Sequence, residues 1–190
     1  MRHGGHKLTT KLDSCANMPV AGAHSMLISQ PGLYAEVAAC YPDLLSWKIE
    51  IVDLVLAHDD HYSLKTYLLV VKNTLRIPPM DQNLVTPFIL WEAGSKVNEE
   101  AKLHADNLII DHHDIYDDKT KLRIHLQLKG ALPYFPTCEL SCQECENWED
   151  CDVIFLTTDA ATWDTNLEYF VLEEDDMPDA KGDIATCDEK

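Results

Sequence analysis

The sequence predicts a mostly β protein, and three observations carry that expectation. Two long apolar stretches, Ser46–Ala57 and Ser63–Ile77, flank a polar tip, His58-Asp59-Asp60-His61, as the strands of a hairpin do. Leu122, Ile124, Leu126 and Leu128 alternate with Arg123, His125 and Gln127, which is the period of a half-buried strand. Pro31-Gly32 and Pro78-Pro79 punctuate the apolar runs with turn signals.

Taken in order, Lys7–Leu12 and Ser25–Gln30 read as strands on either side of a turn at Asp13, followed by a strand over Leu33–Cys40 and then the hairpin. From Asp81 the pattern changes. Asn83 is a candidate helix cap, Leu84, Phe88, Leu90 and Trp91 recur at helical spacing, Pro87 falls near the first turn, and Gly94 is a stop. Lys96–Asn98, Leu108–Ile110, Leu122–Leu128 and Val153–Leu156 are further strand candidates. From Glu173 onward acidic residues dominate, and a disordered tail is expected.

The chain has 190 residues, 46% of them hydrophobic, enough for a domain with a real core. Its longest apolar runs, Ile49–Ala57 and Tyr67–Val71, are strand-sized, so no membrane span is expected. Met1–Lys7 lacks the apolar centre of a signal peptide, which points to an intracellular protein. Thirty-three acidic residues against fifteen basic ones give a net charge of −18. Such a chain repels phosphate backbones, so direct nucleic-acid binding is not expected, and basic peptides are the easier partners. The same charge also serves plain solubility. Seven cysteines without a secretory signal read as reduced thiols or metal ligands.

Chemistry concentrates at Leu12-Asp13-Ser14-Cys15-Ala16. Aspartic proteases set two carboxyl groups face to face so that they share one proton. One takes a proton from water while the other, protonated, polarises the scissile carbonyl. A tight Asp-Ser/Thr-Gly-Ala turn after a strand delivers each carboxylate, and three of its four positions are present. On its own the segment is also an ordinary Asx-type turn between strands.

A second block, Asn73-Thr74-Leu75-Arg76-Ile77-Pro78-Pro79-Met80-Asp81-Gln82-Asn83-Leu84-Val85, follows some sixty residues later. In type, order and separation the two blocks resemble the retropepsin-like protease segment of Copia-type retroelement polyproteins. Leu12–Met18 and Asn73–Gly94 are most similar to a divergent protist branch. So are Leu122–Gly130 with Tyr134-Phe135-Pro136-Thr137, and Thr157-Thr158-Asp159 with Trp163-Asp164, so the likeness spans roughly residues 8–170.

The resemblance implies a retropepsin-like closed β-barrel with one helix over residues 7–98. A small β-rich extension over 99–170 and the acidic tail over 171–190 would follow. It implies that Asp13 is the catalytic carboxylate, that Ser14 braces the opposite turn, and that Ala16 completes the same turn. The flap would lie between Tyr34 and His61, and Asn83-Leu84-Val85 would open a helix behind the site. Cys15 departs from the family pattern, standing where glycine lets two turns touch. Asp164-Thr165-Asn166 reads as surface, so one catalytic Asp per chain requires a symmetric homodimer. The implied activity is endopeptidase cleavage of a peptide or polyprotein substrate with no cofactor, in the cytoplasm or within retroelement particles.

Two rival classes stand beside it. One is an inactive retroelement-derived dimerisation or spacer module. The other is a small metal-dependent hydrolase or a zinc-binding adaptor, favoured by the histidine clusters and by Cys138, Cys142, Cys145 and Cys151, whose central Cys-x-x-Cys knuckle has the spacing of a structural zinc site. The neighbouring Glu139, Glu144, Glu146, Glu149 and Asp150 disfavour thiolates, so free thiols in a loop is the competing reading of that segment. His58–His61 and Asp111-His112-His113-Asp114 read as solvated turns, and His24 as a packed or surface residue.

Overall fold

Alternation decides the first strand. In β1 (Lys7–Leu12), Leu8, Thr10 and Leu12 are buried and the intervening residues face the other side. The computed structural model describes residues 7–37, 47–101, 113–146 and 151–158, without the side chains of 142 and 143. Every described residue belongs to one unit of the chain, which ends at Asp159. The protein is mostly β, as its sequence predicts.

After β1 come β2 (Val20–Ala21), β3 (Met26–Ser29) and β4 (Tyr34–Val37), then the long pair β5 (Trp47–Asp59) and β6 (Thr66–Arg76). The β5–β6 hairpin is the expected one, its register running from Ile51↔Leu75 to Asp59↔Thr66. Both of its faces are covered, and each strand is apolar on both. Leu54, Leu56, Leu69 and Val71 enter the main core, whereas Val55, Ala57, Leu68 and Val70 form a second cluster on the opposite face. At Val52/Leu54 the register shifts, and the Asp53 side chain accepts the Asn73 backbone N–H at 3.0 Å.

β7 (Asn83–Val85) leads into α1 (Pro87–Glu92), and β8 (Ser95–Asn98), β9 (Asp114–Asp117) and β10 (Arg123–His125) build a separate three-stranded sheet. The helix starts later than expected. Asn83 is not its cap but a buried strand residue, whose Oδ1 accepts the Gly22 N–H at 2.9 Å and the Ser25 hydroxyl at 2.5 Å. Thr86 takes the N-cap position, and Pro87 follows at N1, where a missing N–H loses nothing.

The strand expected over Leu122–Leu128 divides into β10 and β11 (Gln127–Lys129). Between them the Leu126 N–H donates to the His113 carbonyl at 2.9 Å, extending the β9–β10 register by one pair. β12 (Leu132–Cys138), α2 (Cys142–Glu146) and β13 (Asp152–Phe155) complete the order. α2 is a second helix where one was expected. Its start carries a capping box: Glu144 Oε2 accepts the Ser141 N–H at 2.8 Å, and Ser141 Oγ accepts the Glu144 N–H at 3.4 Å. The candidate strand Leu108–Ile110 and the acidic tail lie outside the described residues.

Among the described residues ten strands form one sheet, ordered β11-β12-β1-β7-β2-β6-β5-β3, with β13 on β6 and β4 on β5. β12 also meets β5 at Cys138↔Ala57. β1 runs antiparallel to β12 and parallel to β7, and β6 is parallel to both β2 and β13. β12 and β13 fall in the stretch expected as an extension over 99–170, and both are members of this sheet. The main core joins it to the small sheet and α1, with Leu12, Val85, Leu90, Ile115, Ile124 and Phe135 in one cluster.

Gly22 is the tightest point of this packing. A Cβ there would lie 2.6 Å from the carbonyl oxygens of both Met80 and Gln82. Both obstacles are backbone, so no rotamer change relieves the clash. Gly22→Ala is expected to cost about 3 kcal/mol, read as a lowered urea midpoint at unchanged slope. A midpoint within error of wild type would refute the crowding.

Candidate active site

β1 delivers Asp13 to the end of its parallel pairing with β7. The Asp13 N–H donates to the Val85 carbonyl at 3.1 Å, one step beyond the Leu12↔Val85 register. The chain then turns tightly. Asp13 Oδ1 accepts the Cys15 N–H at 3.0 Å, and the Asp13 carbonyl accepts the Ala16 N–H at 3.4 Å. This is an Asx turn, as the segment read on its own predicts. Asp13 is half-buried, Ser14 and Cys15 are exposed, and Ala16 is half-buried. The carboxylate is therefore held through Oδ1 and still reaches solvent.

The turn is held from across the sheet as well. Thr86 Oγ1 donates to the Ala16 carbonyl at 2.9 Å, and Thr86 is 5% exposed. Sequence reasoning did not single out Thr86, although Thr86-Pro87 is a recognisable N-cap and N1 pair. Gly22 was also missed, since a single glycine carries no sequence signal of its packing.

The backbone at Cys15 does not itself require glycine. Among the described residues, the non-glycine positions with positive φ are Leu64, Asn73, His113 and Lys121. Any penalty at Cys15 is therefore steric, arising where a second turn would approach its Cβ, and not conformational.

In the expected flap region, β4 pairs with the first residues of β5 from Tyr34↔Glu50 to Val37↔Trp47, leaving Tyr34 and Trp47 exposed. Residues 38–46 lie outside the described residues. His58, expected in a solvated tip, is instead a buried β5 residue, 5% exposed, with Nδ1 2.9 Å from the Pro136 carbonyl and its ring edge-on to Phe135. Burial depresses its pKa, outweighing the raising effects of the Pro136 carbonyl and of Asp60 and Asp59. The unfolded chain then takes up the proton first as pH drops below the ordinary histidine value of about 6.5. The His58 contribution is complete above that value and shrinks below it. We expect the urea midpoint to fall between pH 7.5 and 5.5, and to fall less in His58→Gln; equal pH dependence would exclude His58 as the cause.

Of the four cysteines, the side chains of Cys138, Cys145 and Cys151 are described, and that of Cys142 lies outside the described residues. Cys138 ends β12 beside Ala57 of β5, and Cys151 immediately precedes β13, which pairs with β6. Both pack against the second apolar cluster. The Cys145 thiol lies 3.5 Å from Met26 Sδ. No group of three His, Cys, Asp or Glu side chains is arranged to hold a metal among the described residues.

His113 and Asp114, expected in a solvated turn, are each 3% exposed, and Asp114 is ion-paired with Arg123. Antiparallel pairing of β9 with β10 brings that guanidinium to the carboxylate. Asp111, His112 and Asp164–Asn166 lie outside the described residues. His24 sits at the surface with Nδ1 3.4 Å from Glu139 Oε1.

No protein-family model, curated protein or solved structure matches the chain. No helix among the described residues is long and apolar enough to cross a membrane.

Proposed function

We propose that this chain is a retropepsin-like aspartic endopeptidase of a Copia-type retroelement, active as a homodimer with one Asp13 from each copy at the two-fold axis. The observation that carries the reading is the Asp13 turn. Its carboxylate is oriented by a backbone N–H, its ends are tied to the β7–α1 junction, and it keeps access to solvent. The strand pairings favour the same reading. The path β12-β1-β7-β2-β6-β5 returns to β12 through Cys138↔Ala57, as the strands of a closed barrel would.

In this mechanism the ionised member of the pair takes a proton from a water lying between the two carboxyls. The resulting hydroxide adds to the scissile carbonyl, whose oxygen receives a hydrogen bond from the protonated partner. Collapse of the tetrahedral intermediate breaks the C–N bond, and a carboxyl proton passes to the leaving amine. No cofactor enters. The substrate in this reading is the element's own polyprotein.

Cys15 favours a second reading, an inactive dimerisation module, because two exposed thiol side chains would meet where glycines normally touch. The deciding experiment is cleavage of a peptide library by the full chain at mildly acidic pH, alongside its mass in solution. A dimer that cleaves supports the protease. A dimer that leaves every peptide intact supports the second reading, and a monomer removes both.

A further inference from the structure

Thr86 is the N-cap of α1, the position where a threonine hydroxyl ordinarily accepts an N–H of the first helical turn. Here its side chain makes no capping bond. The hydroxyl instead donates to the Ala16 carbonyl at 2.9 Å, seventy residues back in the chain. Thr86 is buried and Ala16 half-buried, so the bond is partly shielded from water. Val85, the preceding residue, accepts the Asp13 N–H at 3.1 Å. Two adjacent residues of the β7–α1 junction therefore grip the two ends of the four-residue turn, one through a carbonyl and one through a hydroxyl.

Everything between those grips sets the carboxylate. The Cys15 N–H fixes Asp13 Oδ1 at 3.0 Å, and the Ala16 N–H closes the turn on the Asp13 carbonyl at 3.4 Å. Release of the Ala16 end frees Cys15 to move, and with it the donor that orients the carboxylate. Backbone pairing secures the Asp13 end whatever side chain stands at 85. The Ala16 end is held to the β7–α1 junction by a side chain, the Thr86 hydroxyl.

We propose that Thr86 is a positioning residue for Asp13, giving up its capping bond to lock the C-terminal half of the catalytic turn. The role in catalysis rests on the protease reading above; the lock itself does not.

The test therefore has two readouts on the full chain, comparing Thr86→Val, which keeps the shape and removes the hydroxyl, with Thr86→Ser, which keeps the hydroxyl. In hydrogen exchange, Thr86→Val is expected to speed the Cys15 and Ala16 amides about tenfold relative to core amides such as Leu69 and Val70, with Thr86→Ser returning them to wild type. In peptide cleavage, kcat is expected to fall about tenfold with KM little changed and an altered pH profile, again restored by Thr86→Ser. Uniform acceleration of all amides in Thr86→Val would overturn the proposal by making Thr86 a merely structural residue. Unchanged Cys15 and Ala16 amides would overturn it directly. Absence of cleavage in wild type, with the local exchange effect present, would sink the protease reading and leave the lock standing.

Discussion

Asp13→Asn is expected to reduce peptide cleavage to background, a loss of about three orders of magnitude or more. An asparagine has the shape of the aspartate, and its amide oxygen can still accept the Cys15 N–H that holds Asp13 Oδ1 at 3.0 Å. The turn is therefore expected to persist, so the loss reports chemistry and not folding. On the proposed mechanism, what disappears is the shared proton, since an amide neither takes a proton from water at mildly acidic pH nor supplies one to the leaving amine. A mixing experiment separates a two-chain site from a one-chain site. If wild type is held constant and an equal amount of Asp13→Asn is added, random pairing leaves about half of the wild-type homodimers. Activity should therefore fall to about half, whereas independent one-chain sites would leave it unchanged. Cleavage by Asp13→Asn at the wild-type rate would remove Asp13 from the mechanism altogether.

Arg123→Ala is expected to be the most damaging single change to stability, at about 3–5 kcal/mol. The Asp114 side chain is 4% exposed and depends on the Arg123 guanidinium, which also lies 4.8 Å from the centre of the Tyr116 ring. Truncating the arginine leaves a carboxylate in the core without its counter-charge, which costs far more than the pair contributes beyond apolar packing. Against the usual 5–15 kcal/mol of a domain, that is a large share. Urea unfolding measures it. Adding Asp114→Asn to Arg123→Ala should recover part of the loss, because an amide is less costly to bury than an unpaired charge. An Arg123→Ala midpoint close to wild type would mean that Asp114 is relieved by other groups or by solvent.

Both predictions concern residues that differ in how they could be found. Asp13 announces itself locally: a strand of alternating residues, then Asp-Ser, then a turn. Asp114 and Arg123 gave no such warning. In a run reading Asp111-His112-His113-Asp114, polarity suggested a solvated turn, and only the pairing of β9 with β10 buries the carboxylate beneath a guanidinium. His58 failed for the same reason, sitting at the end of an apolar run next to a polar tip, where a single residue decides which side of the boundary it takes. Asn83 reads as a helix cap from sequence because asparagine caps helices well. Its actual partners, Gly22 and Ser25, lie about sixty residues away.

By itself the sequence determined what short-range periodicity can encode. It set the β character of the chain, the long β5–β6 hairpin with its polar tip, strand β1 and the turn that carries Asp13. Those features depend on side-chain alternation and turn residues within a few positions of one another. The tertiary structure decided what depends on distant partners: that Thr86 spends its hydroxyl on Ala16, that Gly22 must stay bare against Met80 and Gln82, and that Asp114 has a cation. Such contacts are set by which strands lie side by side, and adjacency in a sheet leaves no periodic trace in the chain.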